Sequence, residues 1–147
     1  MDAGSDILKI CDKSGEILVN TANALLKTAY NEITAYGNTA KQLLGKLPPD
    51  FRLIKPIREG NICDFDSMVQ LLHLLFLNDK SKIGLFKPDF IVNTSINASI
   101  VEQEALCEAI IEAGVSKCYL VDSPVAATIG AGVDVAESKG NMIVIVG

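Results

Sequence analysis

The chain has 147 residues and carries a net charge of −5, from 13 Lys and Arg against 18 Asp and Glu. With a pI near 4.8 it offers a phosphodiester backbone little, which argues against electrostatic nucleic-acid binding. Hydrophobic residues at 49% and charged residues at 21% are what an ordinary globular domain with a real core needs.

Four cysteines without a CxxC pair and a single histidine suggest neither a zinc site nor a disulfide framework. The thiols are expected to be buried and reduced, as in a cytosolic protein. No run approaches the ~20 apolar residues of a membrane span, and MDAGSDILK lacks the basic start and apolar stretch of a signal peptide. The expected location is the cytoplasm.

Along the chain, Asp6–Cys11 and Glu16–Asn20 read as a β-hairpin, with Gly15 at the left-handed position of the turn. Ala24–Ala29 and Ile33–Tyr36 are expected as further short strands, followed by a helix over Thr39–Leu44 that Asn38 caps and Gly45 stops. Residues 46–64, with Pro48, Pro49, Pro56 and Gly60, read as an irregular crossing between two subregions. Asp66 is the expected cap of a helix over Ser67–Leu77, apolar almost all round and therefore largely buried. His73 has no second ligand at helical spacing and reads as a core or boundary residue. From Phe90 the order is strand Phe90–Asn93, helix Ile100–Ala113, strand Cys118–Val121, helix Pro124–Ala131 and strand Asn141–Val146, which predicts an α/β fold. Ser99 and Glu102 form a capping box, Gly114 ends that helix, and Ser123 is the expected cap before Pro124.

Neither a GxxxxGK[ST] loop nor a GxGxxG fingerprint is present. Asp2-Ala3-Gly4-Ser5 opens directly into the hairpin. Such a turn can aim backbone N–H groups and the Ser5 hydroxyl at a phosphate while Asp2 orients a hydrated Mg²⁺. An ordinary polar turn is the other reading, and four residues alone favour it.

Several segments in order resemble the bacterial actin family MreB, of the actin and sugar-kinase superfamily: YGNTAK at Tyr36–Lys41, KPIREGNICDFD at Lys55–Asp66, SPVAATIGAG at Ser123–Gly132 and GNMIVIVG at Gly140–Gly147. The resemblance implies the first half of an actin-like ATPase domain. Its parts would be an RNase H-like mixed sheet flanked by helices (residues 2–20 and 65–140), a small inserted subdomain (21–64), and the start of a second lobe (141–147). It implies that Asp2–Ser5 matches the first phosphate loop, DxG[ST], with Asp2, Gly4 and Ser5 as surviving ATP-binding positions and Asp2 on Mg²⁺. Lys9 could add a phosphate contact, though a solvated strand lysine is the plainer reading.

Three departures bear on catalysis. The family places a Glu before the Pro of its EPMAAAIGAG-like segment to position attacking water, and Ser123 stands there. A hydroxyl cannot accept a proton at neutral pH as a carboxylate does, and Asp122, one residue out of register, points to the opposite face. The metal-holding Asp of the second loop, DxGGGT, is matched by Ile145, and the strand that precedes DxG is reduced to Met1. Hydrolysis is therefore expected to be abolished or slow, with no catalytic residue assigned. The shortened first strand also leaves a central sheet position open, and the expectation is that Asn141–Val146 folds back or swaps between chains to fill it.

In Lys80–Pro88, Leu85 and Phe86 sit among lysines. This arrangement suits an anionic membrane surface and looks like the membrane-inserting loop of the family; the alternative folds both side chains back onto the core. The resemblance thus implies a truncated MreB-like actin that scaffolds cell shape, self-associates or joins MreB-like filaments, lies on the inner membrane face and works with the cell-wall synthesis machinery. The alternative is a nucleotide-free module that regulates full-length filaments. A small phosphotransferase, resting on DAGS alone, ranks third.

Overall fold

The computed structural model describes residues 1–78, 87–134, 136, 140 and 142–145. Strands β1 (Asp2–Ala3), β2 (Ile7–Cys11) and β3 (Ile17–Ala22) form an antiparallel unit. The β2–β3 turn is held by Asp12, whose Oδ1 accepts the N–H groups of Ser14 and Glu16 at 2.8 and 2.9 Å, with Gly15 at φ +88° as expected. Strands β9 (Asp89–Thr94) and β10 (Lys117–Asp122) pair in parallel and are joined by the crossover helix α3 (Ile100–Glu112). The Ser99–Glu102 capping box begins that helix as predicted.

Three residues join these two units. β1 pairs β2 through Asp2↔Lys9 and Ala3↔Leu8. On its other edge the Met1 carbonyl accepts the Asn93 N–H at 3.2 Å, and the Met1 amine donates to the Ile91 carbonyl at 2.5 Å. The outcome is a mixed sheet in the order β3-β2-β1-β9-β10. The expectation for the central position is thereby corrected: Met1–Ala3 holds it, because two backbone bonds on each side suffice to bridge, while Met142–Ile145 lies outside every strand.

The core sits on one face of this sheet. Leu8, Ile10, Val19 and Val92 pack there against Met68, Leu71 and Leu72 of α2 (Phe65–Asn78) and Leu106 and Ile110 of α3. Each such side chain contributes about 1.5–3 kcal/mol by leaving water. The outer face is open: Ile91 and Tyr119, cross-strand partners, are 63% and 51% exposed.

Between β3 and α2 the chain builds a second sheet, β5-β4-β6, from β4 (Leu25–Thr28), β5 (Ile33–Tyr36) and β6 (Phe51–Ile54), with helix α1 (Gly37–Gln42) and the hairpin β7 (Ile57–Arg58) and β8 (Asn61–Ile62). Its own small cluster is Ala22, Ala24, Leu26 and Ala40. Two buried polar side chains tie this part to the main sheet. Asn23 donates from Nδ2 to the carbonyls of Ser5 and Ile57 at 2.9 and 2.7 Å, and Lys27 reaches Ser67 Oγ on α2 at 2.9 Å.

Several local expectations are corrected. Residues 46–64 hold three strands instead of an irregular crossing, since each is only two to four residues long and fenced by proline or glycine. Asn38 does not cap α1: its Oδ1 accepts the Ala22 N–H at 3.0 Å, because a strand-end donor competes for it. α2 is capped by Asp64, whose Oδ1 accepts from Ser67 N–H at 2.9 Å, and not by Asp66. His73 is exposed. The four thiols are free, but Cys11 and Cys63 are exposed and Cys107 and Cys118 half-buried, so none is fully buried, and only Cys118 among them packs against the main core. Burial and a hydrogen bond with Cys107 push the Cys118 thiol up to about 12.

Depressed carboxylates set the acid response. Lys55 holds Asp6 low through a hydrogen bond and its charge, the Ser14 hydroxyl does so for Asp12, and the Ser99 N–H and hydroxyl do so for Glu102. Each contributes stability above its unfolded pKa that is lost as pH falls through the lower folded value. Chemical denaturation should therefore show stability falling below the ordinary carboxylate range of about 4. Ser99→Ala should cost about 1 kcal/mol at neutral pH and flatten part of that acid slope.

Candidate functional site

Side chains alternate across a strand, so the pairing that places Ala3 in the core turns Asp2 outward. Lys9 and Asn20 follow Asp2 in the ladder register, and Asn93 lies on the other side. The outer face thus carries a polar row, Asn20, Lys9, Asp2 and Asn93, running toward the first turn of α4 (Ser123–Gly130). That row lies at the carboxyl ends of the parallel strands, where open α/β sheets hold their ligands.

Asn93 is the hub. Its Oδ1 accepts the Ala3 N–H at 2.8 Å, and its Nδ2 donates to Asp2 Oδ1 at 3.0 Å and Ser123 Oγ at 3.2 Å. Ser123 then donates to the Thr94 carbonyl at 2.8 Å. The expected capping role of Ser123 is corrected: Asp122 is the N-cap, without a side-chain cap bond, because the Ser123 hydroxyl is engaged on β9. Asn93 was not singled out in the sequence. Its signal is one amide inside the otherwise apolar strand Phe90-Ile91-Val92-Asn93.

The turn after β1 is rigidly seated. A Cβ on Gly4 would lie 2.5 Å from the Ile7 carbonyl oxygen, so only glycine fits. Ser5 Oγ accepts the Gly60 N–H at 2.9 Å, a bond that uses a lone pair and leaves the hydroxyl proton to donate elsewhere. Asp6 is paired with Lys55 at 2.5 Å on the exposed side of the same turn.

A cavity of ≈ 890 Å³ runs along the break in the central strand. Asp2, Asn93, Ser123 and Ile145 line it, so the structure brings Asn93 together with three positions singled out in the sequence. Gly4, Ser5 and Lys9 lie outside that lining: the turn stands beside the cavity, and Lys9 is on the open face. Leu85 and Phe86 fall outside the described residues. A nucleotide phosphate with Mg²⁺ fits this chemistry through one carboxylate, Asp2, which keeps its second oxygen, and the seated turn with its hydroxyl donor. Ser123 and Ile145 add no second carboxylate, and Asp12 and Asp89 are the other acidic residues lining the cavity. Among the described residues no helix is long and apolar enough to cross a membrane.

Asn93→Ala should leave the Ala3 N–H without its acceptor and loosen β1, with a stability loss of about 1–3 kcal/mol in denaturant titration. Amide exchange at Ala3 should accelerate with it.

The family model for MreB/Mbl protein matches residues 2–147. Cell shape-determining protein Mbl of Bacillus subtilis (strain 168) is 32% identical over 149 residues, covering 100% of this chain and 44% of Mbl. Cell shape-determining protein MreB of Escherichia coli (strain K12) is 34% identical over 116 residues, covering 78% and 33%. MreB5 of Spiroplasma citri bound to ADP superposes with a TM-score of 0.80 at 21% identity, covering 89% of this chain and 39% of that one. The MamK double helical filament gives 0.71 at 12% identity, covering 89% and 42%. The chain therefore spans less than half the length of the relatives it matches, and the α/β class expected from its element order is theirs.

Proposed function

This chain belongs to the MreB/Mbl family, and on that premise we propose that it is an MreB-like actin lobe that holds nucleotide phosphate without efficient hydrolysis and serves a cell-shape scaffold. The observation that carries the reading is the seated Asp2–Ser5 turn, with Asp2 held by Asn93 at the end of the parallel strands. That the Spiroplasma citri MreB5 structure is bound to ADP supports a nucleotide as the ligand. Self-association is the matching proposal for partners, supported by the filament formed by MamK.

In this reading Mg²⁺ neutralises phosphate charge when bound, and the chain's own groups do the rest. Asp2 orients the hydrated ion, Ser5 donates to a phosphate oxygen, and Lys9 adds positive charge on the same face. Ser123, fixed on Thr94, cannot take a proton from water at neutral pH, and Ile145 cannot coordinate. These two substitutions also favour the second reading, a regulatory module that acts on full-length filaments without turnover.

Titration with ADP and Mg²⁺ separates the two. The leading proposal expects millimolar or tighter affinity and a stability gain of about 2.7 kcal/mol at a hundredfold excess over Kd, lost in Asp2→Ala. No gain at saturating nucleotide would favour the regulatory module. Phosphate release from ATP should stay near background in either case.

The inner membrane face, with the cell-wall synthesis machinery, completes the proposal through Leu85 and Phe86. Sedimentation with anionic vesicles should pull the chain down, and Leu85→Ser with Phe86→Ser should leave it in the supernatant at unchanged fold stability.

A further inference from the structure

The sequence separates the four cysteines, but the fold brings two of them together. The buried residues of α3 are Leu106, Ala109 and Ile110, so that face of the helix looks onto the sheet, and Cys107 borders it. On β10 side chains alternate: Cys118 and Leu120 pack against the core that holds those helix residues, while Lys117 and Tyr119 are exposed on the other face. The two sulfurs meet there. The Cys118 thiol donates a hydrogen bond to Cys107, and burial together with that bond keeps its proton on.

β10 has β9 as its one neighbour in the sheet, so the pair sits beneath the helix at an edge, half-buried and within reach of small solutes. Side chains that touch through their sulfurs have little way to go to the ~4 Å Cβ separation of a disulfide. Cys63, by contrast, turns its exposed thiol to the Asn61 carbonyl at 3.8 Å.

We infer that Cys107 and Cys118 form a modification site, a dithiol that glutathione disulfide closes reversibly into a covalent bond between α3 and β10. Cys118 holds the shared proton, so Cys107 is the attacking sulfur. Its thiolate opens the glutathione disulfide; one glutathione leaves as a thiolate and takes a proton from water, and the mixed disulfide stays on Cys107. The charge and the acceptor that helped hold the Cys118 proton are then gone. Cys118 gives that proton to solvent, attacks the Cys107 sulfur and expels the second glutathione. Two protein thiols are oxidised, one glutathione disulfide is reduced, and the two hydrogens end on two glutathione molecules.

The test equilibrates the full chain with graded ratios of glutathione and its disulfide, followed by acid quench, alkylation and tryptic digestion. Trypsin cuts after Lys117, between the two cysteines, so the bond joins two separate peptides. The expected product is a chain lighter by two hydrogens, with the Cys107 peptide linked to the Cys118 peptide and both restored by dithiothreitol. The same equilibrium in denaturant measures what nearness in sequence alone provides. The folded chain should favour the closed form by about tenfold or more over that reference. Equal constants would overturn the proposal, as would a folded chain in which Cys107 stops at the mixed disulfide or joins Cys11 or Cys63.

Discussion

A three-residue bridge holds the sheet together. Without the bonds from Met1–Ala3 to β2 on one side and β9 on the other, the pairs β2-β3 and β9-β10 would be separate two-stranded pieces, each with an open edge. The same residues place the chemistry. Strand alternation sends Ala3 into the core beside Leu8 and Val92 and turns Asp2 to the outer face, so anchoring and presentation are one act of pairing. Asn93 reinforces it by accepting from the Ala3 backbone and donating to the Asp2 side chain.

The hairpin and the parallel pair of the main sheet were legible because their signals are local. The Ile-, Leu- and Val-rich runs at Asp6–Cys11 and Phe90–Asn93, the Ser99 capping box and the Asp12–Gly15 turn each specify their own geometry. The central segment Met1–Ala3, by contrast, was too short to show a pattern. The inserted part was less legible. β6, β7 and β8 are too short to show a period, and pairing with β4, distant in sequence, is what makes Phe51–Ile54 a strand. Asn38 and Ser123 follow good cap rules and break them for one reason: a backbone group elsewhere, the Ala22 N–H or the Thr94 carbonyl, takes the side chain instead.

The site shows the same division. Asp2, Gly4 and Ser5 were visible as a motif, and the structure explains the glycine by the crowding carbonyl of Ile7. What the motif could not show is that Ser5 is tied to Gly60 and Asn23, so the turn is fixed from the inserted side as well as from the sheet. Asn93 was hidden because a polar residue in a strand usually marks its exposed face and nothing more. Here that exposed face carries the candidate site.

The open outer face also governs how copies of the molecule meet in bulk. Ile91 and Tyr119 form a largely exposed apolar pair on a face whose charges include Lys9, Asp2, Asp89 and Lys117. What keeps two such faces apart is repulsion between bodies that each carry −5, a long-range force that added salt and acidification toward the pI near 4.8 both weaken. Colloidal behaviour and sheet architecture are therefore linked: the surface that displays the polar row is also the one on which the molecule becomes sticky when its charge is masked.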